Sequence, residues 1–271
     1  MKSVLLYVQH DDGLESRLQA ALSVVRATGG HLSCVNVTLV DAYRTFVGFS
    51  SLFVIDDIET ELVQKAIELR VRIEERLEKE NISWDYAHVM GETVDVLIEK
   101  AALSDLLVVG PMTESETAAY LPATMFGDLI AAMQTPLLVQ PLGQKLFEPR
   151  GTAVVAWNGS FESAHALRAA VPLLALASNV KIVTIDEEKT LKHAASEAAA
   201  YLRYHGIESD LHSQRWREGS LAANLVARAH AFDANCIVMG AYGHSRTHEF
   251  IFGGVTREML QNPSIPLILA H

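Results

Sequence analysis

The sequence is poor in cysteine. Cys34 and Cys236 are the only cysteines among 271 residues, and both lie in apolar runs of the kind that form strands. Cysteines in such runs are usually small buried hydrophobic residues. We therefore expect no disulfide framework and no cysteine-based zinc site. A reducing compartment fits this cysteine usage.

Positive charge is also scarce. The chain has 22 Lys and Arg against 33 Asp and Glu, so its formal net charge is -11 at pH 7. A surface with this charge repels nucleic-acid backbones and anionic lipid. We therefore expect neither nucleic acid nor a membrane among the partners of this protein.

Long apolar runs are missing as well. No run approaches the roughly 18 residues that a membrane-spanning helix needs. The segment MKSVLLYVQHDD at the start has one Lys and an apolar run that is too short for a secretory signal. These features predict a cytoplasmic protein.

Common catalytic motifs are absent too. The sequence contains no H-E-x-x-H, no C-x-x-C and no G-x-x-x-x-G-K-[S/T], and no Ser-His-Asp set can be assembled from spacing. His10, Asp11 and Asp12 are ligand-type residues, but adjacent loop residues rarely converge on one metal ion. We expect these three to lie in a solvated loop, with no metal site and no dedicated catalytic site.

The first half of the chain alternates predicted strands with predicted helices. The overall composition, 49% hydrophobic and 20% charged, is that of a globular protein, and its length allows one large domain or two of ordinary size. Apolar periodicity predicts strands at residues 4–8, 31–37, 82–89, 106–109 and 136–140, and helices at 14–28, 58–80, 93–102 and 125–133.

The second half repeats this pattern. Strands are predicted at residues 152–157, 180–185, 207–212, 235–239 and 266–270, and helices at 162–177, 191–204, 220–231 and 257–261. Gly240 follows Gly110 by 130 residues, and Pro266 follows Pro136 by the same interval. We therefore predict an α/β fold of two domains, residues 1–145 and 151–271, each with a parallel sheet covered by helices.

One glycine-rich stretch stands between a strand and a helix of the second half. It reads GAYGHSRTHEFIFGGVT, residues 240–256, and it follows the apolar run 236–239. Glycine amides can approach an anion closely because no Cβ intervenes, and a helix N-terminus favours negative charge. The stretch therefore predicts a phosphate cradle at the carboxyl end of a strand. The alternative is a turn and a close packing contact.

The spacing of these glycines resembles a known motif. Gly240, Gly243 and Gly253 match the G-x2-G-x9-G-[S/T] nucleotide motif of the universal stress protein family. Gly254 departs from it, because the family usually has Ser or Thr there, although Thr256 offers a hydroxyl two residues on. The segments AVVAWNGS, DANCIVMGAYG and FGGVTREML carry the resemblance most strongly, and it extends over nearly the whole chain.

The resemblance implies a fold, a ligand and an internal contact. The fold would be two tandem, doubly wound, Rossmann-like sheets of order 3-2-1-4-5, similar to adenine nucleotide alpha hydrolases. The ligand would be an adenine nucleotide, ATP with Mg²⁺, in a stress-response sensor or regulatory module. Residues 136–140 and 266–270 would pair across a pseudo-twofold axis as an intramolecular pseudo-dimer, because the family's single-domain members dimerise through this strand. A further homodimer and a protein client are the other partners that we consider.

The resemblance also implies a set of binding residues. Asn158 would replace the Asp that faces adenine, with an amide that can both donate and accept. Trp157 could stack on the base or simply pack in the core. Residues 253–256 would form the phosphate-binding turn. The residues carried over by position are Ala156, Trp157, Asn158, Ile185, Met239, Gly240, Gly243, Gly253, Gly254, Val255 and Thr256.

Two other segments have open interpretations. His244, Arg246 and His248 lie between the glycines and could meet phosphate oxygens or remain exposed; Arg246 is the best candidate because its guanidinium suits phosphate. Residues 40–55 are too apolar for an ordinary loop. They could cover the ligand site, but we favour a role in the core or in an oligomer contact.

The two halves are predicted to differ in function. At the 130-residue offset, Gly243 falls on Thr113, Gly253 on Ala123, Gly254 on Thr124 and Thr256 on Phe126. These changes add side chains where a phosphate should approach, so we expect ATP in the second half only. The alternatives are that both halves bind a ligand, that the protein is a structural or interaction protein with an empty glycine loop, or that it is a slow ATPase.

Overall fold

The structure is a computed structural model that describes residues 1–38, 52–113, 121–143, 146–186, 192–215, 218–241, 254–261 and 263–271. In its first half the elements are β1 (Ser3–Val8), α1 (Leu14–Thr28), β2 (His31–Thr38), α2 (Leu52–Leu77), β3 (Ser83–Met90), α3 (Thr93–Ala101), β4 (Leu106–Val109), β5 (Met112–Thr113), β6 (Leu121–Pro122), α4 (Ala123–Ala132) and β7 (Leu137–Val139).

The second half has the same alternation of strands and helices. Its elements are β8 (Thr152–Ala156), α5 (Phe161–Leu174), β9 (Asn179–Asp186), α6 (Ala195–Tyr204), β10 (Asp210–Arg215), α7 (Leu221–Ala231), β11 (Ala234–Gly240), α8 (Gly254–Gln261) and β12 (Leu267–Ala270). Ser160 caps α5 and Ser220 caps α7, each by accepting a hydrogen bond from the backbone amide three residues on.

Ten of the described strands form one sheet, in the order β10-β9-β8-β11-β12-β7-β4-β1-β2-β3. Within each half the order is 3-2-1-4-5 and every pair is parallel, as predicted. The short strands β5 and β6 pair only with each other among the described strands, and this small ribbon was not predicted.

The two halves meet through their last strands. β7 and β12 are antiparallel, with Leu138 opposite Ile268 at the centre of the pair. Each strand would otherwise expose a row of unpaired backbone groups at the edge of its own sheet. The expected pairing between residues 136–140 and 266–270 is therefore found.

The strands are apolar on both sides because helices cover both faces of the sheet. In β8, Val155 points toward one core with α5 and α6, and Val154 points toward the other with α7 and α8. In the first half, α1 and α2 share the face of α5 and α6, while α3 and α4 share the face of α7 and α8. No helix in the described ranges is long and apolar enough to cross a membrane.

Several predicted boundaries are wrong. Helix α2 begins at Leu52 rather than at residue 58, and α6 begins at Ala195 rather than at residue 191. Strand β10 covers residues 210–215 rather than 207–212. The shift of β10 has a local cause. Gly206 has a φ of 74° and the Ile207 amide donates to the Leu202 carbonyl, so Ile207 belongs to the capping turn after α6 and packs in the core.

The contact between β7 and β12 should be energetically measurable. Leu138 and Ile268 are both buried and lie opposite each other, so Leu138→Ala and Ile268→Ala should each lower the free energy of unfolding by about 2–5 kcal/mol. In a double-mutant cycle measured by denaturant unfolding, the two substitutions should be coupled by about 0.5–3 kcal/mol.

Leu32→Ala provides the matched control. Leu32 is equally buried but lies in β2, which three strands separate from β12. Its effect should add to that of Ile268→Ala without coupling, because the two side chains are far apart. Additive effects of Leu138→Ala and Ile268→Ala would contradict the pairing.

Candidate functional site

The candidate site lies at the carboxyl edge of the second half, between β8 and β11. Strand β9 lies on one side of β8 and β11 lies on the other. The chain leaves β8 for α5 on one face, whereas α8, after β11, packs on the opposite face. A parallel sheet opens a crevice at such a switch point, and ligands of α/β proteins usually bind there.

Three apolar residues lie at or near this edge of the sheet. Ala156 ends β8, Ile185 lies near the end of β9, and Val255 lies in the first turn of α8. All three are partly exposed and pack against the same core, which contains the buried Met239. The structure therefore places four of the residues that the sequence predicts on one face of the sheet, at or near its carboxyl edge.

Trp157 does not lie with these apolar residues. It is only 4% exposed and packs in the core on the opposite face, with α5 and α6. Its indole Nε1–H donates to the backbone carbonyl of His193 at 3.0 Å. For Trp157 the geometry therefore favours packing in the core over stacking on the base.

Asn158 is exposed beside Trp157. Its Oδ1 accepts a hydrogen bond from the Ser160 amide at 3.1 Å, which fixes the turn into α5. No described group bonds to its Nδ2. The side chain is therefore oriented by the turn and retains two donor hydrogens for another molecule.

Gly240 allows a close contact between β11 and α5. A Cβ added at this residue would lie 2.5 Å from the carbonyl carbon of Glu162 and 2.7 Å from the amide nitrogen of Ser163. The backbone atoms of the strand and the helix approach so closely that only glycine fits. This contact is the packing alternative that the sequence left open, and it accounts for Gly240 without a ligand.

The first turn of α8 differs from what the sequence predicts. Gly254, Val255 and Thr256 belong to the helix itself rather than to a turn that precedes it. Gly254 is exposed, and a Cβ there would meet nothing within 4 Å. Thr256 is 6% exposed, so its side chain lies largely in the core. The donors that this turn can present to an anion are therefore mainly its backbone amides, which have no partner within the helix.

Part of the predicted site lies outside the described residues. Gly243, Arg246 and Gly253 belong to residues 242–253, as do His244 and His248. Most of the apolar segment 40–55 falls in residues 39–51, which the structure likewise does not describe. The predictions for these residues stay predictions.

In the first half, a buried ion pair lies at the corresponding edge. The Arg17 Nη1 and Nη2 atoms contact the two Asp11 carboxylate oxygens at 2.9 and 2.8 Å, and the two side chains are only 2% and 1% exposed. Arg17 also donates to the backbone carbonyls of Tyr7 and Gln9, at 3.3 and 3.4 Å. The prediction that Asp11 is solvated is therefore wrong, because the bidentate guanidinium of Arg17 replaces water around its carboxylate.

The second half has no equivalent of this pair. Arg17 is the fourth residue of α1, and the fourth residue of α5 is Ala164. Sequence reasoning missed Arg17, although a signal was present: it follows Leu14 by three residues and precedes Leu18, so it lies on the apolar face of an amphipathic helix. An arginine there needs a buried partner.

The β5–β6 ribbon also lies after this edge of the first half. Strand β5 follows β4 closely, and it lies against α8 of the other half. Phe126, the offset partner of Thr256, is fully buried in α4. Among the positions that correspond to the phosphate cradle, Phe126 is thus used for packing, whereas Thr124, the offset partner of Gly254, is exposed.

The cysteines behave as the sequence predicts. Both are buried, and burial raises the pKa of the Cys34 thiol and of the Cys236 thiol to about 12. Thiols of this kind are poor nucleophiles and poor metal ligands at neutral pH. Within the part of the chain that the structure describes, no three His, Cys, Asp or Glu side chains are grouped to hold a metal ion.

A Ser-His-Asp set does exist, although spacing did not reveal it. His31 Nδ1 lies 2.7 Å from Ser83 Oγ, and His31 Nε2 lies 2.7 Å from Asp85 Oδ2. These residues are at the amino ends of β2 and β3, where α/β sheets rarely bind ligands. The His31 and Asp85 side chains are 39% and 59% exposed. We interpret the set as cross-strand pairing between β2 and β3.

Comparisons with known proteins agree with this geometry. Residues 150–271 match the model of the family described as "Universal stress protein family". No curated protein matches the sequence. Among solved structures, the fold is similar to a universal stress protein from Archaeoglobus fulgidus DSM 4304, with a TM-score of 0.76 and 16% identity over 98% of this chain and 97% of that one.

Two other solved structures share the fold over the whole chain. A functionally unknown protein from Pseudomonas aeruginosa PAO1 has a TM-score of 0.61 and 16% identity, over 100% of this chain and 92% of that one. The cytoplasmic domain of a prokaryotic cation chloride cotransporter has a TM-score of 0.50 and 11% identity, over 99% of this chain and 94% of that one. At these identities the likeness concerns the fold alone.

Two glycines of the site should respond differently to alanine. Gly240→Ala should lower the free energy of unfolding by about 1–3 kcal/mol or more, because its Cβ would overlap the backbone of α5. Gly254→Ala meets no atom and should be neutral or stabilising by up to about 1 kcal/mol, because alanine favours a helix. Denaturant unfolding measures both, and equal effects would contradict the packing role of Gly240.

Loss of one partner of the Arg17–Asp11 pair should destabilise the fold more than neutralisation of both partners. Arg17→Met leaves the Asp11 carboxylate buried without its partner, so we expect a loss of about 3–5 kcal/mol in the free energy of unfolding. Asp11→Asn combined with Arg17→Met should recover part of that loss. Arg72→Met, at an exposed site on α2, is the control and should change little. A similar small effect at Arg17 would show that the pair is solvated.

Proposed function

We propose that this chain is a tandem universal stress protein with domains at residues 1–145 and 151–271, whose second domain binds an adenine nucleotide. The ligand is ATP with Mg²⁺, and the protein is a stress-response sensor or regulatory module rather than a dedicated enzyme. The observation that carries the proposal is the arrangement at the carboxyl edge of the second half, where Ala156, Ile185 and Val255 pack on one face and α8 begins beside them.

Each part of this edge suits one part of the nucleotide. Ala156 and Ile185 offer a partly exposed apolar surface to the base, and the Asn158 amide can read its polar edge. Met239 and Gly240 end β11, next to the expected ribose position. The amides of Gly254 and Val255, at the N-terminus of α8, suit the phosphates. Gly243, Gly253 and Arg246 would complete the phosphate site.

The proposal assigns Mg²⁺ to the nucleotide rather than to the protein. The described residues include no group of three metal-ligating side chains. Mg²⁺ commonly keeps several waters and binds through substrate phosphates. We therefore expect the ion to arrive with ATP and to leave with it.

Two observations support a difference between the halves. The family model covers residues 150–271. In the first half, the buried Arg17–Asp11 pair lies at the end of β1, and the β5–β6 ribbon follows β4. The first domain would then keep the fold and lack the phosphate site.

A structural or interaction protein with an empty loop is the second candidate. Its support is Gly240, because contact with α5 alone is enough to require glycine there. In that case an unidentified protein client or a homodimer would be the only partner. A slow ATPase is a weaker candidate, because the sequence contains no G-x-x-x-x-G-K-[S/T] and no other catalytic motif that we searched for. The cytoplasmic location and the lack of nucleic-acid and membrane partners stay predictions.

The stoichiometry and location of ATP binding test the proposal. Calorimetric titration with Mg²⁺ and ATP should give one site per chain. Gly243→Val places a branched side chain in the predicted phosphate loop, so we expect its affinity to fall at least about tenfold, the effect of one lost charge-assisted hydrogen bond. Thr113→Val, at the offset position of the first half, is the matched control and should leave the affinity unchanged.

Three results would contradict the proposal. Absence of ATP binding by the wild type favours the empty-loop protein. Two sites per chain would show that the first half also binds. Equal affinity of wild type and Gly243→Val would remove the glycine loop from the site.

A further inference from the structure

A cavity lies at the outer edge of the sheet, away from the proposed nucleotide site. Its volume is about 450 Å³. It lies between β10, which is the last strand on that side of the sheet, and the second half of α7. The lining residues are Ser213, Gln214, Arg215, Ala227, Arg228 and Ala231, and none of them belongs to the proposed nucleotide site.

Two of the described lining residues are arginines, and none of the described lining residues is acidic. Arg215 and Arg228 both line it, and neither forms an ion pair with a described carboxylate. The Arg228 Nε atom is buried and bonds to no described group. A buried guanidinium N–H without an acceptor is unfavourable, and an anion in the cavity could supply that acceptor.

Arg228 is held in position by an aromatic ring. Its Cζ lies 4.6 Å from the centroid of the Phe232 ring, and the His212 ring lies 4.5 Å from that same centroid. Stacking on Phe232 orients the guanidinium without neutralising its charge. Arg228 therefore presents a fixed cation beside the cavity.

Further titratable side chains surround the Phe232 ring. Lys181 Nζ lies 5.9 Å from the Phe232 ring centroid, and Asp210 is the carboxylate that pairs with it. The pKa of His212 is lowered, first by burial and then by the charges of Arg228 and Lys181. Lys181 is therefore compensated and His212 favours its neutral form, so the positive charge at the cavity comes from Arg215 and Arg228.

We propose that this cavity binds a small organic anion that carries a phosphate or carboxylate group, held by Arg215 and Arg228. Guanidinium groups match both oxyanions with paired N–H donors. The Ser213 hydroxyl and the Gln214 amide are neutral donors on the same wall. The volume lies within the range of about 300–1,000 Å³ that is typical of small-molecule sites, and it exceeds what a lone inorganic ion needs.

The test uses one probe with carboxylate groups and one with phosphate groups. Wild-type protein is titrated calorimetrically with citrate and with inorganic pyrophosphate, at constant ionic strength and in the absence of ATP and Mg²⁺. We expect saturable binding of at least one probe at one site per chain. Arg215→Gln and Arg228→Gln should each weaken it at least about tenfold, because each removes a charge-assisted hydrogen bond.

Arg203→Gln is the matched control. Arg203 is an exposed arginine on α6, so the variant carries the same charge change away from the cavity, and binding should be unchanged. Arg215 is also exposed, so its variant decides the question if Arg228→Gln fails to fold. Binding of neither probe, or an equal loss in the Arg203 variant, overturns the proposal, and so does binding that Gly243→Val abolishes while the arginine variants retain it.

Discussion

The antiparallel pairing of β7 with β12 is the contact on which the architecture depends. Each half is a parallel sheet whose last strand would otherwise be an unprotected edge, and the pairing joins both into one sheet. Because the joined strands run in opposite directions, the carboxyl edges of the two halves lie at opposite edges of the sheet. Ligand sites built at those edges are therefore separate, and one can change without disturbing the other.

The two edges show how the same backbone is used in different ways. In the first half, the end of β1 is closed by Arg17 and Asp11, and β5 packs against α8. In the second half, Ala164 takes the place of Arg17, and the residues around the end of β8 stay partly exposed. Removing one partner of a buried ion pair strongly destabilises the fold, because the other charge stays buried without compensation. Such a pair suits a structural edge, whereas an edge that admits a ligand cannot be filled in this way.

Much of the fold follows from short-range patterns. The strand and helix order, the 130-residue offset and the pairing of the last strands could all be predicted, because they rest on apolar periodicity and on edge protection. The contacts that could not be predicted depend on tertiary geometry. Spacing cannot show that Gly240 touches α5, that Asp11 turns toward Arg17, or that Ile207 ends a helix instead of starting a strand. The glycine motif indicates a ligand, but Gly240 also has a packing reason.

Native mass spectrometry of the freshly purified protein, before and after addition of Mg²⁺ and ATP, tests the central claim most directly. The claim is that only the carboxyl edge of the second half holds an adenine nucleotide. The predicted result is a single added mass of one adenine nucleotide per chain, which does not increase further in excess ATP. A chain that remains free of nucleotide in excess ATP, or one that takes up two, would contradict this account.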